Sequence, residues 1–401
     1  MPADYRHLLA PGRIGGMELR NRLVLAAMGS NFAEPDGTCN ERTIAYYEAR
    51  ARGGAGLLVL ETSAACHPYG STMPNMLGFS DERFLPGLKA LTHRVHRHGA
   101  KIVAQLCHGG RMALEDSAAG RPIPMPSLVK PGYSDMFKVL TQEEIGHLMK
   151  AVARGDKKPS FYEMTPADIE QTVAGFAYAA RLAEKAGFDG VELHAGHGYL
   201  IASFLSPYTN RRTDAYGGSR ENRARFLLEI IRAVREATSD GFSLLVRLDA
   251  REYRVENGIE LEDCLVTARL AESAGVDAID VSAYGNTAQA IAFTEAPLVH
   301  EPGGFIDFTR QVKQAVKVPV IGVGRVEPEV GERCVADGDF DFLALGRKLL
   351  ADPELPNKLA AGAPATIRPC IYCYICVSQI FINQPMCLSL IHISEPTRPS
   401  P

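Results

Sequence analysis

The 401-residue sequence lacks features that would place it in several other classes of protein. It contains no tryptophan, the side chain best suited to holding a cation over an aromatic face. It has no apolar stretch of the roughly 20 residues that a membrane helix needs, and its first residues, 1–13, contain no apolar signal core. We therefore predict a cytoplasmic protein with no membrane partner.

Charge and missing motifs exclude further classes. Lys and Arg number 43 against 47 Asp and Glu, and no basic run stands out, so nucleic acid is not an expected partner. No G-x-G-x-x-G motif is present to indicate a dinucleotide-binding fold, and no G-x-S-x-G motif indicates a hydrolase. No lysine ends a predicted strand, which argues against a Schiff-base aldolase. The 46% hydrophobic content fits a globular protein with a sizeable core.

Eight short apolar runs, separated by helical patterns, indicate an α/β fold. The runs are Leu23–Ala27, Gly56–Glu61, Lys101–Cys107, Asp189–His194, Ser243–Leu248, Asp277–Ser282, Val318–Val323 and Phe340–Gly346. Runs of this length, rich in Val, Ile and Leu, are typical of parallel strands covered on both faces. Eight alternations of strand and helix predict a (β/α)8 TIM barrel, an architecture that reaches this length as a single unit.

The clearest helix signal begins at Thr165, which can cap the helix while Pro166 takes its first position and Asp168 completes a capping box. About eighty residues separate Cys107 from Asp189, where a bare strand–helix–strand unit needs roughly thirty. We interpret the excess, near residues 120–160, as an inserted loop with one short helix. Because it follows the third strand, it is expected to overhang the active-site face.

Two glycine–arginine turns follow the last two predicted strands. They are Gly324-Arg325 and Gly346-Arg347, at the positions where barrels of this kind often hold phosphate. Glycine lets backbone N–H groups approach a phosphate, and arginine supplies a fork of donors. The alternative is that these glycines only permit tight turns.

Other polar residues are predicted to reach the same mouth. Gln105 and Arg247 suit a flat ring with alternating donors and acceptors, although each alone could be structural. His194 and His197 could donate hydrogen bonds to a substrate carbonyl oxygen, and Tyr199 could supply a proton. A zinc site competes with this interpretation, but it lacks the HExxH arrangement and an obvious third ligand.

Four of the nine cysteines, Cys370, Cys373, Cys376 and Cys387, lie within eighteen residues. Four thiolates so spaced can hold an iron–sulfur cluster. Structural zinc is the alternative, because four-cysteine zinc sites also use C-x2-C spacing. A third interpretation is that these are buried free cysteines, but their clustering within eighteen residues argues against it.

Several of these motifs together resemble the old yellow enzyme family of FMN-dependent oxidoreductases, over about residues 5–355. The matching segments are Asn21-Arg22, Ala26–Met28, Gln105–Arg111, His194–Leu200, Tyr216–Arg223, Gly322–Arg325 and Leu345–Arg347. The resemblance implies that Gln105 and Arg247 contact the flavin ring and that Ala27, Met28 and Thr62 line it. It also implies a phosphate site at Gly324, Arg325, Gly346 and Arg347. His194 and His197 would bind the substrate oxygen, and Tyr199 would donate the proton.

The cysteine-rich segment resembles the iron–sulfur branch of that family, which includes 2,4-dienoyl-CoA reductase and trimethylamine dehydrogenase. This resemblance implies a [4Fe-4S] cluster on the four cysteines, although Cys387 follows at a slightly short spacing. Paired histidines and the lack of tryptophan favour reduction of an α,β-unsaturated carbonyl by hydride from FMN N5. Two alternatives remain: an amine dehydrogenase or N-demethylase that passes electrons to the cluster, and a non-redox barrel with structural zinc.

The implied organisation is an FMN-binding barrel over residues 1–360 and a cluster-binding segment over 361–387. Residues 388–401 resemble a translated sequencing adapter and are expected to be non-native and disordered. The resemblance further implies FAD- and NAD(P)H-binding domains beyond the cysteines. Expected partners are a small-molecule substrate and NAD(P)H or an electron-transfer protein, and homo-oligomerisation is left open.

Overall fold

The eight apolar runs form one closed barrel in the computed structural model, which describes residues 4–129, 159–253, 255–285, 301–372 and 376. The strands are β1 (Gly12–Ile14), β2 (Met17–Leu19), β3 (Leu23–Leu25), β4 (Leu57–Ala64), β5 (Lys101–Cys107), β6 (Pro122–Met125), β7 (Ser160–Glu163), β8 (Gly190–Ala195), β9 (Ser243–Tyr253), β10 (Ala278–Gly285), β11 (Val320–Gly322) and β12 (Phe342–Leu345). Strands β3–β5 and β8–β12 pair in parallel, and β12 closes on β3. The predicted barrel is therefore confirmed.

Helices cover the outside of the barrel. They are α1 (Glu41–Arg52), α2 (Leu85–His96), α3 (Leu114–Ala119), α4 (Pro166–Lys185), α5 (Leu200–Leu205), α6 (Arg220–Ala237), α7 (Leu261–Ala274), α8 (Ile306–Ala315), α9 (Pro328–Asp337), α10 (Arg347–Ala351) and α11 (Leu355–Ala360). None of the helices in the described ranges combines the length and the apolar character that crossing a membrane would take.

The capping signal at the start of α4 is present in the structure. The Thr165 hydroxyl accepts a hydrogen bond from the backbone N–H of Asp168, and the Asp168 carboxylate accepts one from the backbone N–H of Thr165. Ile169 and Phe176, two turns apart, then face the core. A reciprocal cap and an apolar stripe thus fix both the start and the rotation of this helix.

The insertion after the third barrel strand contains a two-stranded parallel ladder that the sequence did not reveal. Strand β6 pairs with β7, with Pro122 opposite Ser160 and Met125 opposite Glu163. The short helix expected in the charged part of this insertion falls within residues 130–158, outside the described residues. Most of the predicted cluster segment and the tail, 373–375 and 377–401, lie outside them as well.

The two ends of the barrel differ in polarity. The interior is apolar at the end where the barrel strands begin. The β1–β2 hairpin packs into this end through Ile14, Met17 and Leu19, each at most 3% exposed. The Ser243 hydroxyl donates to the Ile14 carbonyl at 3.1 Å and joins the hairpin to the barrel. Because this end is closed, buried polar side chains of the upper interior reach solvent or ligands only through the opposite mouth.

Candidate active site

A cavity opens at the mouth of the barrel, where the C-terminal ends of the strands meet, and it encloses about 1470 Å³ with its opening included. Twelve residues named from the sequence line it: Ala27, Met28, Thr62, Gln105, His194, His197, Tyr199, Arg247, Gly324, Arg325, Gly346 and Arg347. Thr72, Met73, Met112, Lys348 and Tyr372 line it too and were not singled out from the sequence. The predicted flavin-contacting and catalytic positions therefore share one space.

Gln105 lies on β5 at the floor of the cavity and is 1% exposed. Its Oε1 accepts a hydrogen bond from Thr62 Oγ1 at 2.6 Å, and its Nε2 donates to Glu192 Oε1 at 2.7 Å. In this arrangement the amide nitrogen is the donor toward Glu192 and the amide oxygen is the acceptor toward Thr62. One further N–H and one further lone pair remain for a ligand.

Beneath the cavity, two buried carboxyl groups flank one guanidinium. Arg247 and Asp280 are register neighbours on β9 and β10, and Arg247 Nε lies 3.6 Å from Asp280 Oδ2. Burial, aided by the charge of Asp280, raises the pKa of Glu192 to about 8, while Arg247 opposes the shift. Burial also raises the pKa of Asp280. Both carboxyl groups of this cluster therefore hold a proton more tightly than exposed carboxyl groups do.

Atoms in this cluster lack hydrogen-bond partners. Arg247 Nε, Glu192 Oε2 and Asp280 Oδ1 are all buried without one. Buried polar atoms are usually paired, so unpaired ones need an explanation. A polar ligand, or water, above the cluster is the kind of group that would supply the missing bonds.

Glycine is required at Gly324, and the backbone of Gly346 also approaches its neighbours closely. Gly324 has a φ of +114°, and a Cβ there would lie 2.7 Å from Phe305 Cδ2. A Cβ on Gly346 would lie 2.9 Å from Met28 Sδ. The backbone at both turns therefore lies close to its neighbours and is open to the cavity, as a phosphate-binding loop requires.

Three cationic side chains converge beside these turns. The guanidinium carbons of Arg325 and Arg347 lie 4.7 and 4.9 Å from the centre of the Tyr372 ring, and Lys348 Nζ lies 5.7 Å from it. Tyr372 belongs to the cysteine-rich segment, so that segment reaches the cavity. A concentration of positive charge against open backbone suits a phosphate.

His194, His197 and Tyr199 lie together on the other side of the mouth. His194 is the last residue but one of β8, and the other two residues follow in the loop before α5. The ring of His194 lies 4.8 Å from that of His197 and 4.8 Å from that of Tyr199, both edge-on. Tyr199 is partly buried against a small cluster that includes Met73 and Met76.

Both histidines are neutral. Burial, with the charge of Arg247 adding to it, lowers the pKa of His194 and of His197 well below 6.5. A neutral imidazole has one donor nitrogen and one acceptor nitrogen. The backbone N–H of Gly196 donates to His194 Nδ1 at 3.4 Å, so the hydrogen of His194 is on Nε2. His194 therefore offers a donor, whereas His197 Nε2 lies 2.9 Å from Ser282 Oγ and is already engaged.

The described residues include two of the four cysteines of the predicted cluster site. Cys370 is half-buried and Cys376 is buried and lines the cavity, whereas Cys373 and Cys387 lie outside the described residues. Across the described parts of the chain, no three His, Cys, Asp or Glu side chains are grouped to hold a metal ion. A cluster on the four cysteines thus stays a prediction.

Two supporting residues, both carboxyl groups, were not recognised from the sequence. Glu192 and Asp280 each interrupt an apolar run, as in Val191-Glu192-Leu193, and a charge inside a buried strand is the signal that could have identified them. Glu61 accepts hydrogen bonds from the Ser30 backbone and hydroxyl, both at 2.6 Å. It thereby anchors the loop after β3 that carries Met28.

The TIM barrel carries buried polar side chains, three cationic side chains and two histidines at its mouth, an arrangement that suits a flavin-dependent oxidoreductase. Residues 7–366 match the NADH:flavin oxidoreductase / NADH oxidase family, and the chain belongs to it. The family predicted from the sequence motifs is therefore confirmed.

Individual relatives agree with this assignment. The chain is 38% identical to an NADH oxidase of Thermoanaerobacter brockii over 387 residues, which is 94% of this chain and 55% of the relative. It is 32% identical to a cinnamate reductase of Clostridium sporogenes over 398 residues, covering 93% and 55%. The solved structure of a 2-naphthoyl-CoA reductase in complex with 2-naphthoyl-CoA superposes with a TM-score of 0.80 at 31% identity, covering 95% and 56%. The chain thus spans about half the length of these relatives.

Proposed function

We propose that this chain is an FMN-dependent reductase of α,β-unsaturated carbonyl compounds. The observation that carries the proposal is that the flavin-contacting positions and the pair His194 and His197, with Tyr199, line one cavity. The relatives named as cinnamate and 2-naphthoyl-CoA reductases support a conjugated carboxylate or thioester as the substrate class.

The cavity fits FMN. Gln105 keeps a free donor and acceptor, and Arg247 Nε is buried without a hydrogen bond, so both would hold the ring, lined by Ala27, Met28 and Thr62. The turns Gly324-Arg325 and Gly346-Arg347 would hold the phosphate. When bound, FMN supplies hydride transfer from N5 of its ring.

The protein's own groups would act on the substrate oxygen and the proton. His194 donates from Nε2 and would bind the carbonyl oxygen, stabilising the negative charge that develops there. Because the pKa of His194 lies well below 6.5, the imidazole stays neutral across neutral pH and its Nε2–H remains available to the substrate oxygen. Tyr199 would transfer its hydroxyl proton to the substrate α-carbon.

We propose in addition that Cys370, Cys373, Cys376 and Cys387 hold a [4Fe-4S] cluster. The support is the donor set, because four thiolates are the usual ligands of such clusters, and the position of Cys376 in the cavity wall. NAD(P)H or an electron-transfer protein would be the source of electrons for the whole protein.

The test is a single turnover that does not depend on the natural electron donor. The protein is loaded with FMN, reduced with dithionite without oxygen, and mixed with 2-cyclohexenone or cinnamate while flavin absorbance and product are followed. We expect Tyr199→Phe to bind FMN normally and to slow product formation by about 10²–10⁴-fold. Tyr178→Phe, at a partly buried position on α4 that does not line the cavity, is the matched control.

Two results would overturn the proposal: no affinity for FMN, and flavin reduction by amines with no reaction of any conjugated carbonyl. The second would indicate the amine-oxidising alternative instead. Unchanged product formation in Tyr199→Phe would remove Tyr199 from the role of proton donor.

A further inference from the structure

His197 stands at the end of a buried hydrogen-bond chain. Its Nε2 lies 2.9 Å from Ser282 Oγ, and Ser282 Oγ lies 2.9 Å from Asp249 Oδ1. Ser282 and Asp249 are opposite each other on neighbouring strands, β10 and β9. The three residues are 4%, 1% and 3% exposed, so Ser282 and Asp249 are buried behind His197, which lines the cavity.

The other carboxylate oxygen of Asp249, Oδ2, contacts the backbone of His197 and not Ser282. Oδ2 accepts the backbone N–H of His197 at 2.5 Å. His197 has a φ of +60°, a conformation that non-glycine residues seldom adopt, and this bond helps to hold it. A Cβ on the neighbouring Gly196 would lie 2.8 Å from Asp249 Oδ1, so the carboxyl fits closely against this turn. Oδ2 must therefore remain an acceptor, and only the Oδ1 side can change its role.

We propose that Asp249 and Ser282 are positioning residues that decide which ring nitrogen of His197 carries the hydrogen. The proposal deepens the proposed function, on which its catalytic meaning rests. With Asp249 ionised, Ser282 donates to Oδ1 and accepts from Nε2–H, so Nδ1 is a bare acceptor. With Asp249 protonated at Oδ1, the carboxyl donates to Ser282, Ser282 donates to Nε2, and the hydrogen is on Nδ1.

The exchange between these two states balances. One proton enters at Nδ1 of His197, the Nε2 proton passes to Ser282 Oγ, and the former Ser282 proton passes to Asp249. His197 and Ser282 are neutral before and after, and the net change is one proton taken up by Asp249. No further reagent is needed.

The exchange changes what the histidine pair offers a ligand. His194 has its hydrogen on Nε2 in either state, because Gly196 N–H occupies its Nδ1. With Asp249 ionised, the pair offers one donor and one acceptor. With Asp249 protonated, it offers two donors, which is the arrangement that a carbonyl or enolate oxygen requires.

Both states are accessible near neutral pH. Burial raises the pKa of Asp249 to about 7, although hydrogen bonds from His197 and Ser282 oppose the shift. The titratable and charged groups around Asp249 and His197 are His194 on β8, Arg247 and Glu252 on β9, Cys264 on α7 and Tyr284 on β10. Glu252 raises the pKa of Asp249 further and Arg247 lowers it.

The experiment determines the tautomer of His197 by ¹⁵N NMR of the FMN-loaded protein labelled with [¹⁵N]histidine. The signals of His197 are those missing from His197→Asn, a substitution chosen because Asn tolerates positive φ. At pH 9 we expect the wild-type hydrogen on Nε2. Asp249→Asn should move it to Nδ1, because the amide oxygen must face the His197 backbone N–H, which leaves the NH₂ group to donate to Ser282.

A pH titration and two further variants complete the test. Lowering the pH of the wild type from 9 to 6 should produce the same exchange. Ser206→Ala removes a similar buried bond, from a serine hydroxyl to Glu252 at 2.6 Å, and should leave the tautomer unchanged. In a Ser282→Ala background, Asp249→Asn should have no effect on the ring.

Hydrogen retained on Nε2 of His197 in Asp249→Asn would overturn the proposal. A move of the hydrogen to Nδ1 in Ser206→Ala would overturn it as well. So would a change of tautomer caused by Asp249→Asn in the Ser282→Ala background. A wild-type tautomer that stays constant from pH 9 to pH 6 would overturn it too. These NMR measurements do not require turnover. The proposed role of Asp249 and Ser282 can therefore be refuted while alkene reduction is confirmed, and it can be confirmed while alkene reduction is refuted.

Discussion

Glu192 is expected to destabilise the protein at neutral pH, and Glu192→Gln should relieve that cost. Burial raises the pKa of Glu192 to about 8, well above the value of about 4.5 for an unfolded glutamate. Between these values the folded protein holds a proton that the unfolded chain releases, so stability falls as the pH rises. Glutamine has the same shape, can still accept from Gln105 Nε2, and does not titrate.

The magnitude follows from the pH interval. Each unit contributes about 1.4 kcal/mol, so the variant should gain about 3 kcal/mol over the wild type at pH 7. The gain should be near zero at pH 4.5 and level off above pH 8. Part of the pKa shift of Glu192 comes from the charge of Asp280. This coupling lowers the expected gain in stability but does not change its direction.

The assay is denaturant unfolding of wild type and variant at pH 5, 6, 7 and 8. Glu236→Gln is the matched control, because the same change is made on the exposed face of α6. A stability difference that stays constant from pH 5 to pH 8, or one that grows as the pH falls, would refute the reasoning.

Two further predictions concern the phosphate turns and the cysteines. Gly324→Ala places a Cβ at φ +114° and 2.7 Å from Phe305, whereas the Cβ of Gly346→Ala meets only the flexible end of Met28. The first change should therefore cost about 2 kcal/mol more in unfolding free energy and weaken FMN binding further, as measured by fluorescence titration; equal effects would contradict this. Cys376→Ser should lower bound iron and acid-labile sulfide severalfold while Cys264→Ser, a buried cysteine on α7, should not, and equal iron in both variants would remove Cys376 as a ligand.

The sequence located all eight barrel strands, but it misjudged where they end at the mouth. Strand β9 was expected to stop at Leu248 and continues to Tyr253, and β10 continues from Ser282 to Gly285. The apolar pattern ends at these points because the side chains become polar, while the backbones remain paired through Ser282 with Asp249 and Tyr284 with Glu252. Function at the mouth therefore obscures the strand signal there.

The site was predictable to the extent that position along a strand determines position in a barrel. Gln105 and Arg247 could be placed at the mouth because each lies near the C-terminal end of a recognisable apolar run. Tyr372 could not, because its contact with the arginine turns depends on how the chain after α11 folds back. The tautomer of His197 could not either, since it depends on a bond from β10 to β9 that no local pattern specifies.

The interior of the barrel is apolar at its closed end and polar at its open end, and the two ends have different roles. At the closed end, the hairpin residues and the lower strand residues form a continuous apolar core, which stabilises the barrel without reference to any ligand. At the open end, Glu192, Arg247 and Asp280 are buried at a cost, because their mutual attraction only partly offsets the loss of water. A stable barrel does not need this layer, since apolar residues of similar volume would pack there more favourably. Its presence is therefore best explained by a bound molecule that completes the hydrogen bonds these residues leave unmade.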